Sequence, residues 1–183
     1  MTQLISRSPG SGGNIATVLS LKAAEMSPSI PLVFQLLIAP AVDRTSVLSL
    51  FENELKHAPG LNPDDVIWLS RNYLPNQEDR YNWDVSPILA PDELVRNLPQ
   101  AWIGIMEVDI RRPEGVAYGL KLKEAGVEVQ TVVYKGAPHV TMMLSSKFLF
   151  ETFGKQLMIS PNMQFFSQSA SMIFRCVAMV FNG

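Results

Sequence analysis

Short apolar runs separated by helical patterns are the feature that most constrains how this chain can fold. Three runs, at residues 31–38, 101–106 and 127–134, are nearly continuous in apolar residues or alternate strongly. Such runs are typical of strands buried in a sheet. Apolar residues at helical spacing predict one helix at residues 12–24, before the first run. Residues 113–125 predict a second helix, with Gly126 as its stop. The order helix, strand, insert, strand, helix, strand predicts an α/β protein with a doubly wound parallel sheet.

Residues 43–99 are predicted to form a helical insert between the first two of these strands. Two helices are expected in it, at residues 47–57 and 64–73, and Asn62 and Pro63 provide a start signal for the second. Three aromatic residues of the insert have a helical spacing that favours inward packing: Trp68, Tyr73 and Trp83.

A glycine-rich segment stands immediately before the first predicted helix. Residues 8–14 read Ser-Pro-Gly-Ser-Gly-Gly-Asn. A Gly-x-Ser-x-Gly turn carries a strand sharply into a helix with a serine at its strained apex, and only small residues fit beside that apex. When the segment is laid without gaps on Gly-x-Ser-x-Gly-Gly-Asn, its last three residues match and Gly10 takes the place of the serine. Ser11 lies one position later.

Two downstream segments extend the pattern. Residues 106–115 are similar to Glu-x-Asp-Pro-Leu-Arg-Asp-Glu-Gly, with Asp109 at the acid position and departures at Ile110, Arg111 and Pro113. Residues 134–139 fit Tyr-x-Gly-x-x-His and end in His139. Over about residues 8–149 the chain resembles the hormone-sensitive-lipase-like esterase group of the α/β-hydrolases. The resemblance implies the α/β-hydrolase fold. It also implies that the insert lies near the substrate pocket, which Trp68, Tyr73 and Trp83 would then line instead of packing inward.

The resemblance also implies an activity, which is the hydrolysis of small carboxylic esters by serine acyl transfer without a metal or an organic cofactor. His139 would move the proton, and Asp109 would orient the imidazole. The nucleophile is either Ser11, in a turn shifted by one residue, or missing, because Gly10 stands at its position. The alternative function is a non-catalytic hydrolase remnant that binds a partner protein or has no function.

Each candidate residue also has a simpler interpretation. Asp109 could cap the helix that begins near Pro113, and His139 could be a solvated loop residue. Their separation of 30 residues (139 − 109), with a predicted helix and strand between them, favours the catalytic interpretation. Arg111 and Arg112 are expected to be a solvated pair.

Composition limits the other function classes. A chain of 183 residues that is 47% hydrophobic fits one ordinary domain. A net charge of −2 provides no basic surface for nucleic acid, and a single cysteine excludes an internal disulfide and a thiolate metal site. No segment is apolar enough for a membrane span, and residues 1–13 do not resemble a secretory signal, so a cytoplasmic location is expected.

The ends of the chain predict an incomplete fold. Residues 1–157 are expected to be the C-terminal part of one hydrolase domain, and residues 158–183 form an atypical tail. The N-terminal strands and the oxyanion loop that precede the elbow in this fold would be missing. The strand at residues 32–38 would then have an unpaired edge, which predicts self-association through an exposed sheet edge and poor solubility.

Overall fold

The computed structural model describes residues 4–45, 55 and 57–143, and it describes residues 4–9, 142 and 143 by their backbone only. The chain divides into two compact units, Met1–His139 and Val140–Gly183. All four strands and all four α-helices of the described residues belong to the first unit.

A four-stranded parallel sheet with the order β1-β2-β3-β4 forms the centre of this unit. Its strands are β1 (Leu4–Pro9), β2 (Leu32–Ile38), β3 (Ala101–Val108) and β4 (Val129–Pro138). The helices are α1 (Gly10–Glu25), α2 (Pro63–Tyr73), the short α3 (Asp92–Val95) and α4 (Arg112–Glu124). The parallel α/β sheet predicted from the apolar runs is therefore confirmed.

The strand β2 is not an edge strand, so the expectation of an unpaired edge along residues 32–38 is wrong. It lies between β1 and β3, with Leu37 opposite both Ser8 and Ile103. The sequence pattern missed β1 because residues 4–9 contain Ser-Arg-Ser in place of an apolar run. Pairing in a parallel ladder is made by backbone hydrogen bonds, which do not depend on side-chain polarity. One strand, β1, therefore precedes the elbow.

The main core lies between the sheet and the two long helices that follow β1 and β3. It contains Leu21 of α1, Leu37 of β2, Ile103 of β3 and Tyr118 of α4, all fully buried. The helix α4 lies close to the sheet at Gly119, where an added Cβ would lie 3.5 Å from Ile103 Cδ1. Close packing of this kind holds the ends of β3 and α4 in fixed positions.

The insert departs from the expected packing. As predicted, α2 begins after Asn62, whose side chain accepts from the Asp65 backbone N–H in a capping box. Trp68 and Tyr73 are exposed, so inward packing is wrong for these two residues. The reason is that the buried side of α2 consists only of Val66 and Ser70.

Trp83 is partly buried and packs against the main core, as inward packing predicted. The Lys22 ammonium lies 4.2 Å from the centroid of its ring, which joins the insert to α1. The helix expected at residues 47–57 falls almost entirely outside the described residues. No helix in the described part of the chain has the length and apolar character needed to cross a bilayer.

Self-association through a sheet edge stays a prediction, and within the described sheet β4 is an edge that can be tested. Val133 on this strand is 50% exposed. A lysine at a strand edge opposes pairing with another chain, so Val133→Lys should lower the association of the protein at a given concentration. Size-exclusion chromatography with light scattering would measure the change.

The matched control is Val116→Lys, which makes the same substitution at a residue of α4 that is 42% exposed. It should leave the association unchanged, because a helix surface offers no unpaired backbone groups. A protein that stays monomeric at every concentration, or equal effects of both substitutions, would contradict association through this edge.

Candidate active site

Three candidate residues follow the carboxyl ends of three parallel strands. Gly10 follows β1, Asp109 follows β3 and His139 follows β4. Since the strands are parallel, their carboxyl ends lie along one edge of the sheet, which is where open α/β folds place their sites. The sheet therefore brings together residues that are far apart in the sequence.

Asp109 and His139 form a direct hydrogen-bonded pair. His139 Nδ1 lies 2.8 Å from Asp109 Oδ2, and Asp109 is 1% exposed. The other carboxylate oxygen, Oδ1, accepts from the Arg111 backbone N–H at 2.8 Å. The carboxylate thus holds the loop before α4 and orients the imidazole at the same time. With Nδ1 engaged, Nε2 is the nitrogen left for a reacting group.

Gly10 lies against the Nε2 side of that imidazole. It has φ +55°, in the left-handed region that favours glycine, and it turns β1 into α1. A Cβ built on Gly10 would lie 3.2 Å from His139 Nε2 and 3.7 Å from Cε1. The side-chain position that faces the histidine therefore belongs to Gly10.

Ser11 is exposed in the first turn of α1. Within the described residues, no hydrogen bond joins its hydroxyl to His139. Of the residues predicted from the sequence, the structure brings together Gly10, Asp109 and His139, and it leaves the Ser11 hydroxyl outside this set of contacts.

Asn14 joins the elbow to two other segments of the chain, a role that the motif match alone did not assign. Its side chain is buried, and its Nδ2 group donates to the carbonyls of Ala41, at 2.8 Å, and Val85, at 2.9 Å. The Ala41 backbone N–H in turn donates to the Gly10 carbonyl at 3.1 Å. One amide therefore joins α1, the loop after β2 and the insert.

A buried ion pair also contacts the loop after β2. Arg111 Nη1 lies 2.6 Å from Glu114 Oε1, and both side chains are buried or nearly so, which makes the expectation of a solvated Arg111 wrong. Glu114 Oε2 accepts from the backbone N–H groups of Val42, at 2.9 Å, and Asp43, at 3.0 Å. Burial raises the pKa of Glu114, and the charge of Arg111 opposes that shift. The sequence signal was the Glu-Gly pair of the acid-bearing motif.

A second buried cation lies near this pair. Burial, followed by the charge of Arg111, lowers the pKa of Arg44. Its guanidinium carbon lies 5.3 Å from the centroid of the exposed Tyr73 ring, which connects α2 to the loop after β2. Within the described ranges, no group of three His, Cys, Asp or Glu side chains could hold a metal ion.

Comparisons with known proteins add to this geometry. A family model described as alpha/beta hydrolase fold matches residues 9–143. An AB hydrolase superfamily protein of Schizosaccharomyces pombe is 39% identical over 142 residues, which are 74% of this chain and 40% of that protein. The ethyl acetate hydrolase of Pseudomonas putida is 31% identical over 139 residues, which are 74% of this chain and 42% of that enzyme.

A solved structure shows the same similarity. The hyperthermophilic esterase of the archaeon Pyrobaculum calidifontis superposes with a TM-score of 0.72 and 28% identity, over 92% of this chain and 50% of that one. The chain thus spans less than half the length of the two curated relatives, at 40% and 42%.

The buried ion pair gives a stability prediction. Glu114→Gln would keep an acceptor for the backbone N–H groups but leave the Arg111 charge buried without its partner. Removing one member of a buried pair typically costs about 3 kcal/mol, so the free energy of unfolding should fall by roughly that amount. Urea unfolding followed by circular dichroism would measure it.

The control is Glu25→Gln, because Lys22 and Glu25 form a pair with the same three-residue spacing whose side chains are 46% and 53% exposed. That substitution should change the free energy of unfolding by less than about 0.5 kcal/mol. Similar losses in the two variants would show that the Arg111–Glu114 pair is not the interaction that holds the loop.

Proposed function

Because this chain belongs to the alpha/beta hydrolase fold family, we propose that it carries the acid–base half of a carboxylic ester hydrolase site for small esters. The observation that carries the proposal is the Asp109–His139 hydrogen bond of 2.8 Å, with the Nε2 side of the imidazole against the elbow. Esterase relatives, among them an ethyl acetate hydrolase, support the substrate class.

The chemistry follows from the two side chains. His139 Nε2 takes the proton of an attacking hydroxyl and later returns it to the leaving alcohol. The buried Asp109 carboxylate holds the imidazole in the tautomer with the proton on Nδ1, and it stabilises the imidazolium that forms during the reaction. Its second oxygen is fixed by the Arg111 backbone N–H, which keeps the carboxylate from rotating.

A glycine occupies the position where this chemistry needs a nucleophile. In serine acyl transfer the hydroxyl must lie within hydrogen-bond reach of the histidine. The position with that reach is Gly10, which has no hydroxyl, and Ser11 is the alternative nucleophile if the turn shifts by one residue. A second candidate function is a non-catalytic hydrolase remnant that binds a partner or has no function. The glycine at the elbow favours this second function.

Restoring a serine at residue 10 tests the acid–base half directly. In Gly10→Ser the new hydroxyl would lie beside His139 Nε2, because the Cβ position is 3.2 Å from that atom. Hydrolysis of p-nitrophenyl acetate should rise by on the order of 10³-fold over the unmodified chain, since a missing triad member costs at least that much. The variant should also react covalently with a fluorophosphonate, which mass spectrometry would locate at residue 10.

The control is the double variant Gly10→Ser, His139→Ala, which should lose both the hydrolysis and the covalent reaction. A folded Gly10→Ser protein that is inactive and unlabelled would reject the proposal and favour the non-catalytic remnant. A label at Ser11 of the unmodified chain, lost in Ser11→Ala, would assign the nucleophile to Ser11.

A further inference from the structure

We infer that His139 activates a free oxygen nucleophile, water or a small alcohol such as methanol, at the position beside Gly10. Ester hydrolysis by this chain then proceeds without an acyl-enzyme intermediate. The inference rests on the proposed function, and it deepens that function by naming the nucleophile.

The space is defined by the geometry of the elbow. Apart from Pro9, Ser11 and the backbone of α1, the described atoms within 4 Å of the Cβ position of Gly10 are Nε2 and Cε1 of His139. A serine side chain adds one carbon and one oxygen to the glycine, which is the heavy-atom content of methanol. An oxygen atom placed beside Gly10 would lie within hydrogen-bonding distance of Nε2, about 2.8 Å.

The acid–base pair is already arranged to use such an oxygen. Nδ1 is held by Asp109, so Nε2 is the acceptor that faces the space. The His139 side chain is 19% exposed, so solvent reaches part of the imidazole. The Ser11 hydroxyl, by contrast, makes no hydrogen bond to His139 within the described part of the chain.

The reaction balances with the substrate and one water molecule. The water oxygen forms a bond to the ester carbonyl carbon while His139 Nε2 accepts its proton. The bond between that carbon and the alcohol oxygen then breaks, and the leaving oxygen receives the proton from His139. The products are the carboxylic acid and the alcohol. When methanol replaces water, the same transfers give a methyl ester.

A free nucleophile is less effective than one attached to the chain. Holding a reacting group in place is worth several orders of magnitude, because the entropy of bringing it there has already been lost. The unmodified chain is therefore expected to hydrolyse p-nitrophenyl acetate slowly, on the order of 10³-fold below Gly10→Ser.

The experiment measures this slow turnover in the unmodified chain and in two variants. His139→Ala should lower it by about 10²-fold, because general base catalysis contributes at least that factor. Gly10→Ala should lower it by about tenfold or more, because its methyl group occupies the space, 3.2 Å from Nε2. A fluorophosphonate should not label the unmodified chain. Circular dichroism and thermal unfolding would establish that each variant is folded.

Added methanol provides a measurement that needs no variant at residue 10. With p-nitrophenyl acetate and methanol, the unmodified chain should form methyl acetate well above the level in His139→Ala. Gas chromatography measures this product. Equal yields of methyl acetate from the unmodified chain and from His139→Ala would overturn the inference, even if Gly10→Ala fails to fold.

The outcomes separate the two proposals. An active Gly10→Ser beside an unmodified chain without His139-dependent turnover would overturn the free nucleophile and leave the proposed function intact. An inactive, folded Gly10→Ser would reject the proposed function itself. A fluorophosphonate label on Ser11 of the unmodified chain would overturn the inference in favour of an acyl-enzyme.

Discussion

The common direction of the four strands is the constraint on which the candidate site depends. In a parallel sheet every carboxyl end lies at one edge, so residues that directly follow different strands meet there regardless of their separation in the sequence. Gly10, Asp109 and His139 each come directly after a strand. An antiparallel pairing of β4 with β3 would put His139 at the opposite edge, and no local arrangement of side chains could then restore the Asp109 contact.

The loop after β2 connects the elbow to the acid-bearing loop through hydrogen bonds. It receives hydrogen bonds from Asn14 at Ala41 and donates its own N–H groups to Glu114, while the Ala41 N–H holds the Gly10 carbonyl. Buried polar groups of this kind are costly unless every partner is present. The elbow and the acid-bearing loop are therefore fixed by one set of contacts, and a change at Glu114 is expected to reach Gly10 through the backbone of this loop.

The sequence could predict those parts of the fold in which side-chain polarity and burial agree. The strand β3, the helix α4 and the strand β4 follow from apolar runs and from Pro113 and Gly126, and their order placed Asp109 near His139. The sequence could not predict β1, because that strand is held by backbone pairing and is polar in sequence. The burial of Arg111 and the exposure of Trp68 depend on tertiary neighbours, which spacing along one helix does not reveal.

Gly10 shows that the geometry of a nucleophile elbow and its nucleophile are separable. The left-handed φ of +55° at the turn strains any residue with a side chain, so a serine there must be held by its surroundings. Glycine adopts the same φ without that strain. Replacing the apex serine by glycine thus removes the hydroxyl while it relaxes the backbone, and the turn, the helix and the facing histidine can all persist. The contacts that position the imidazole lie on the Asp109 side and do not involve residue 10. The chemistry that remains at such a site therefore depends on which groups the imidazole can reach.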